Sequence, residues 1–264
     1  MAVTRSGAQV ERQTPVSKDL RDRIVVITRP AGTAAALSRR VRVEGGVPLL
    51  LPGLALRNLG NDVEARDGLR AALADDMLIF SSPAAVRFAA ALTPLRTTAT
   101  VLAVGQGTAR ALRRHGIQTP LAPARQDSEG LLDHPALQGL RGRSVALIGA
   151  AGGRGLLREQ LLARGASLRE LHVYRRVEPR LDRRHVEPLL QLPPSALVLL
   201  SSTEALHNLC RILPPAALVR LFAATAVVSS ERLASAARAA GFARVALAAS
   251  ALSADLLGAA KGAN

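Results

Sequence analysis

The chain has no tryptophan, one tyrosine, four phenylalanines and one cysteine among its 264 residues. Aromatics make up 2% against a hydrophobic share of 48%, so its cores must be built from Ala, Leu and Val, and any mechanism that needs aromatic stacking has few residues to use. The lone Cys210 excludes an internal disulfide and a multi-thiolate metal site, and reads as a small apolar residue on a helix. Every apolar run falls short of the roughly 20 residues that cross a bilayer, and the opening MAVTRSGAQVERQTPVSK has no apolar signal core. A soluble, cytoplasmic protein without membrane contact is therefore expected.

Metal and cofactor signals are missing as well. His115, His134, His172, His185 and His207 show no ligand spacing, no serine stands in a nucleophile elbow, and there is no Walker-type G-K-[ST]. Gly149-Ala150-Ala151-Gly152-Gly153-Arg154-Gly155 follows a strand and opens a helix, but its spacing is not G-x-G-x-x-G, and Glu170 falls within the approach to the next strand. No metal and no cofactor are expected. Lysine occurs only at positions 18 and 261, so arginine carries almost all of a formal charge of +15. Part of that charge is solvated helix surface; the rest draws in anions. Basic runs are short and no aromatic residues interleave with them, which points away from nucleic acid and toward a polyanionic small molecule.

What the chain does have, it has twice. Arg23-Ile24-Val25-Val26-Ile27 and its following helix, closed at Glu44-Gly45, are echoed by Arg143-Ser144-Val145-Ala146-Leu147-Ile148, closed at Arg164-Gly165. Leu78-Ile79-Phe80-Ser81-Ser82 is echoed by Val198-Leu199-Leu200-Ser201-Ser202, and Ala103-Val104-Gly105 by Val227-Val228-Ser229. The echoes come in the same order, as two homologous α/β halves require. Short Val-, Ile- and Leu-rich runs alternate with amphipathic stretches, the pattern of parallel βα units. Strands are predicted at 24–28, 47–51, 77–81, 100–104, 144–148, 168–173, 196–200, 225–228 and 244–248, with Gly45, Gly116, Gly165 and Gly241 closing helices.

Two Pro-flanked extended stretches, around Pro52 and Tyr174, are candidate crossings between halves. Crossing at both gives a nested arrangement: a polar leader over 1–21, one domain from 22–51 with 179–264, a second from 58–171, and linker strands at 52–57 and 172–178. A tandem arrangement fits the residues equally. In open α/β sheets ligands bind at the carboxyl ends of the strands. There the chain has small, polar turns: Thr28-Arg29, Ser81-Ser82, Gly105 to Thr108, Gly149 to Arg154, Ser201-Ser202 and Ser229-Ser230. Helix N-termini of this kind attract anions, each by roughly 0.3–1 kcal/mol where exposed.

The ordered set Ile27-Thr28-Arg29-Pro30, Phe80-Ser81-Ser82-x-x-Ala85-Val86, Val104-Gly105-x-x-Thr108-Ala109, Gly152-Gly153-Arg154 and Val173-Tyr174-Arg175 resembles the uroporphyrinogen-III synthase family over nearly all of the chain from residue 23. The resemblance implies two nested flavodoxin-like domains joined by a two-stranded crossing, with the active site in the cleft between them. It also implies a cofactor-free, cyclising hydro-lyase that closes hydroxymethylbilane, a substrate with eight carboxylates, and inverts its last pyrrole ring. It makes Tyr174 the catalytic hydrogen-bond donor to the departing hydroxyl. Substrate contacts are expected from Thr28, Arg29, Ser81, Ser82, Gly105, Thr108, Gly153, Arg154, Ser201, Ser202 and Ser230.

Two positions depart from the family pattern. Leu233 stands where a threonine is usual, so Ser230 is expected to serve instead, and Gly149 stands where an arginine is frequent, with Arg154 taking its carboxylate contact. Without a heptad seam a monomer is expected. From the residues alone, a non-catalytic two-domain module for a small polyanion or sugar phosphate is the second reading.

Overall fold

A computed structural model describes residues 19–60, 62–152 and 155–263. The described chain divides into two compact units, one made of the residues up to Ala55 with those from Glu178 onward, the other of Leu56–Val177.

The first unit contains β1 (Ile24–Ile27), α1 (Ala35–Val43) and β2 (Val47–Leu50), then, after the second unit, α7 (Arg183–Leu190), β8 (Leu197–Leu199), α8 (Thr203–Ile212), α9 (Pro215–Ala223), β9 (Thr225–Val228), α10 (Glu231–Ala240), β10 (Arg244–Leu247) and α11 (Ser253–Gly262). Its sheet runs β10-β9-β8-β1-β2 with every neighbouring pair parallel. Counted within the unit this is the flavodoxin-like order 2-1-3-4-5. Because side chains alternate across a strand, Val26, Val198 and Val228 face α7 to α10, while Val25, Ile27, Leu197 and Val227 face α1 and α11. Strands buried on both faces read as continuous apolar runs, which is why they stand out in the sequence.

The second unit contains β3 (Ala55–Arg57, whose first residue still belongs to the other unit), α2 (Asp62–Ala72), β4 (Met77–Phe80), α3 (Pro83–Leu92), β5 (Thr100–Ala103), α4 (Gln106–Arg114), α5 (Ser128–Leu132), β6 (Ser144–Ala150), α6 (Leu156–Ala163) and β7 (Ser167–Val177). Its sheet runs β3-β7-β6-β4-β5. Leu78, Phe80, Ala146 and Ile148 face α2, α3 and α4, and Met77, Ile79 and Val145 face α5 and α6. Phe80 has no exposed surface, a burial that stabilises by roughly 2–3 kcal/mol.

The order β9-β8-β1-β2 in one sheet repeats as β5-β4-β6-β7 in the other. Each sheet therefore joins the opening βαβ of one sequence repeat to the later strands of the other repeat. Even the fifth strand has a remnant: Leu121 makes a parallel bridge to Leu102 beside β5, where β10 lies beside β9 in the first unit. Gly45, Gly116, Gly165 and Gly241 take φ of 83°, 95°, 82° and 119°, the left-handed closing conformation expected of them.

One expectation needs correction. The polar leader does not reach residue 21: Leu20 is fully buried beside Leu37 and Val41, and its amide donates to Glu44 O. Its polar neighbours Asp19, Arg21 and Asp22 hide this one apolar anchor from any periodicity argument. The remaining leader residues, 1–18, lie outside the described residues. The stretch 172–178, expected as a linker strand, is the extension of β7: His172 and Tyr174 continue its pairing with β6, and β3 lies at that edge of the same sheet.

Much of the arginine is structural. Arg23 donates to Ala263 O at 2.7 Å and Arg164 to Leu132 O and Leu137 O at 2.7 and 3.0 Å, while Arg244 clasps Pro194 O and Ala223 O. Helix C-termini leave carbonyls unpaired and carry negative partial charge, which a planar five-donor cation suits.

At the amino ends of the second sheet, Asp76 accepts from Ser144 N at 2.8 Å and Ser144 Oγ at 2.9 Å. These bonds, helped by Arg143, hold its carboxyl below the usual carboxylate range. A depressed folded pKa means that the stabilisation is complete above the unfolded value near 3.9 and is lost as pH falls through the folded value. Thermal melts should accordingly show Asp76→Asn less stable than the parent at pH 6–7, with the difference shrinking below about pH 4. An unchanged difference down to pH 2 would mean that the carboxylate charge is not what Ser144 stabilises.

Candidate active site

In the first sheet the strand order reverses between β1 and β8, and there Thr28 meets Ser201. Thr28 has no exposed surface. Its Oγ1 accepts Ser201 N–H at 2.9 Å and lies 3.0 Å from Leu199 O, while Ser201 Oγ donates to Thr28 O at 3.2 Å. Thr28 thus fastens the ends of β1 and β8 and holds out Ser201, which is exposed. The Thr28 proton is thus spent inside the fold, on Leu199 O. Arg29 is half-buried and donates from Nη2 to Ala251 O at 3.1 Å, and burial lowers its pKa.

The serine turns resolve into helix caps. Ser82, Ser202 and Ser230 are the N-caps of α3, α8 and α10, and their Oγ atoms accept from Ala85 N, Ala205 N and Leu233 N at 3.1, 3.1 and 3.4 Å. Each cap satisfies one otherwise orphaned amide and leaves the positive end of its helix at the carboxyl edge of a sheet. Gly105 begins α4 without a side-chain cap, and the next amide, Gln106 N, donates to Gln126 Oε1 at 3.0 Å. Thr108 is 3% exposed in the first turn of α4, beside Ala109 and Leu112 on the buried face, and so supports rather than lines the turn. Gly153 and Arg154 lie outside the described residues. Before them, Arg176 Nη2 donates to Ala151 O and Gly152 O at 3.1 and 2.6 Å, tying the glycine-rich turn to β7, a contact the sequence reading missed.

Tyr174 stands at the far end of β7, 7% exposed. Its ring stacks on Phe88 with centroids 5.1 Å apart and planes inclined by 17°, and its hydroxyl lies 3.2 Å from Ser82 Oγ. The second unit thus brings Tyr174 and Ser82 together at the N-terminus of α3, with Ser81 next to them. None of these residues lines the hollow of about 580 Å³ bounded by Pro94, Leu95, Arg96, Thr97 and His115. That hollow opens where α3 and α4 end, at the amino edge of the sheet, away from the strand ends where α/β sheets bind ligands.

The uroporphyrinogen-III synthase HemD family model matches residues 35–257. The chain belongs to the uroporphyrinogen-III synthase family. Uroporphyrinogen-III synthase of Escherichia coli (strain K12) is 29% identical over 196 residues, 72% of this chain and 80% of that one. The Salmonella typhimurium enzyme is 32% identical over 167 residues, 60% and 67% of the two chains. Among solved structures, uroporphyrinogen-III synthetase from Helicobacter pylori 26695 gives a TM-score of 0.58 at 16% identity, covering 89% of this chain and 96% of that one. A mutant uroporphyrinogen III synthase from the extremely thermophilic bacterium Thermus thermophilus gives 0.55 at 24%, covering 84% and 92%. These likenesses show the fold. Enzymes of the uroporphyrinogen-III synthase family are lyases of the cyclising type, which favours the enzyme reading over the non-catalytic module.

Gly149 and Leu233 both stand in close surroundings. A Cβ at Gly149 would collide with Ser81 Oγ, so glycine there makes room for the serine of the neighbouring strand end. Leu233 is 4% exposed and packs with Ala234, Ala237 and Phe242 in the core of the first unit.

Proposed function

We propose that this chain converts hydroxymethylbilane to uroporphyrinogen III in tetrapyrrole (haem) biosynthesis, acting in the cytoplasm as a monomer and without a cofactor. The electron-rich pyrroles of the substrate themselves expel the terminal hydroxyl and carry the resulting cation, so the protein need supply only orientation and a hydrogen-bond donor. Ring closure then joins the cationic carbon to the far pyrrole, which gives up a proton to regain its aromaticity so that water is lost overall, with inversion of the last ring set by how the chain is held.

The observation that carries this reading is the Tyr174 hydroxyl, fixed 3.2 Å from the Ser82 cap at the N-terminus of α3 and clamped by Phe88. A phenol O–H donates to a departing hydroxyl without requiring a metal. Within the second unit the end of α3, Ser81 and the Gly105 turn suit carboxylates of the substrate; within the first, the ends of α8 and α10, Arg29 and exposed Ser201 do. The reading adds Gly153 and Arg154 as contacts from the glycine-rich turn, on the resemblance alone.

The test is product identity. Supplied with hydroxymethylbilane, the protein should yield the type III isomer on chromatographic separation, since spontaneous closure without inversion gives type I. Type I alone, at the rate of the protein-free control, would overturn the reading.

A further inference from the structure

We propose that Ser82 is the positioning residue of Tyr174: it donates its own proton to Tyr174 Oη, which leaves the phenolic proton free to point at the departing hydroxyl. The inference rests on the reading of Tyr174 as donor.

A serine hydroxyl has one proton and two lone pairs. At Ser82 one lone pair is taken by Ala85 N–H at 3.1 Å, in an N-cap geometry with φ −165° and ψ 160° that fixes where Oγ sits. Tyr174 Oη is 3.2 Å away, and distance alone allows either oxygen to donate. The cap decides between them. With Ser82 as donor, the bonds form a relay, from Ala85 N–H to Ser82 Oγ, from Ser82 O–H to Tyr174 Oη, in which each bond polarises the next. With Tyr174 as donor, Ser82 Oγ would accept twice, keep an unused proton and turn the phenolic proton away from any substrate. The positive end of α3 also withdraws electron density from Oγ, which makes it the poorer acceptor and the better donor. Stacking on Phe88 holds the ring, so the phenolic proton can rotate only about the C–O bond.

Variants of Ser82 separate capping from donation. Aspartate is as good an N-cap as serine, but at neutral pH it has no proton to give, so Ser82→Asp keeps the cap and draws the phenolic proton inward. Ser82→Thr keeps both cap and donor. Both should melt close to the parent. Ser82→Asp should lower kcat about tenfold, whereas Ser82→Thr should restore most of it. In a Tyr174→Phe background the two variants should share one kcat, because the group Ser82 acts through is gone. Repulsion between the added carboxylate and the substrate would appear in KM in both backgrounds instead. Should Ser82→Asp not fold, Ser82→Gly serves, since glycine is tolerated at an N-cap nearly as well as serine; its kcat should fall beside Tyr174 and not in the Tyr174→Phe background. Equal kcat for Ser82→Asp and Ser82→Thr beside Tyr174, or a loss that persists undiminished in the Tyr174→Phe background, overturns the proposal. A parent protein that makes no type III isomer overturns the functional reading as well, and the two failures are told apart by that control.

Discussion

Tyr174→Phe should turn over hydroxymethylbilane roughly 10–100-fold more slowly than the parent, with KM little changed. Phenylalanine keeps the stack on Phe88 and the packing of a residue that is 7% exposed, and removes only the oxygen. General-acid assistance is typically worth about 10²–10⁴-fold, and the lower end applies here because this substrate ionises readily by itself. Loss of the bond to Ser82 should cost about 1 kcal/mol, a drop of about 2–4 °C in Tm, too small to confuse with the kinetic effect. The type III isomer should still dominate what is made, because inversion depends on how the substrate is held rather than on how the hydroxyl leaves. Turnover equal to that of the parent would make Tyr174 a packing residue and leave the assistance to another donor.

The largest loss of stability is expected from Gly53→Ala. Gly53 N donates to Thr28 O at 3.0 Å, and its carbonyl accepts from Asn208 Nδ2 at 3.0 Å, so the residue cannot shift without breaking a bond on one side or the other. A Cβ here would sit 2.6 Å from Ala205 Cβ, 2.7 Å from Ala205 O and 2.9 Å from Ala205 Cα. Two of those atoms are backbone in the first turn of α8, the turn that Ser202 caps, so no rotamer change relieves the clash. Overpacking of this kind costs about 1–3 kcal/mol or more, against the 0.4–1 kcal/mol that alanine usually gains by stiffening the unfolded chain. A fall of roughly 5–10 °C in Tm is expected. Gly107→Ala is the control: in α4, with Pro83 Cγ 3.6 Å from the added carbon as its nearest neighbour, it should melt at or above the parent. If Gly53→Ala melts as high as Gly107→Ala, the approach of residue 53 to α8 is looser than described.

How much of this was legible beforehand follows from what each signal encodes. Strands such as Met77–Phe80 and Leu197–Leu199 are apolar throughout because both faces are buried, and glycines at 45, 116, 165 and 241 mark helix ends by conformation. The exchange between repeats was not legible. The echo of Arg23–Ile27 by Arg143–Ile148 reads the same whether each repeat folds on itself or trades its first strands, since the strands carry no mark of their partner. Within the site, the serine turns were visible as types and positions. The pairing of Ser82 with Tyr174 joins residues 92 apart in sequence, and the fixing of Ser201 by Thr28 joins residues 173 apart; neither leaves a local pattern. The same holds for Thr28, because a buried threonine that bonds a neighbouring strand looks in sequence like one that faces a ligand.

The exchange of strands between repeats bears on how the protein is made. A ribosome releases the second unit, Leu56–Val177, as one uninterrupted stretch, whereas Thr28 at the end of β1 waits for Leu199, 171 residues later, before the first sheet can close. At about 5–20 residues per second that wait is roughly 10–30 s. Throughout it β1 has only β2 and α1 beside it, and the face of Val26 that α7 to α10 later cover stays open on the nascent chain, so the stretch most in need of a chaperone is made well before the strands that complete its sheet.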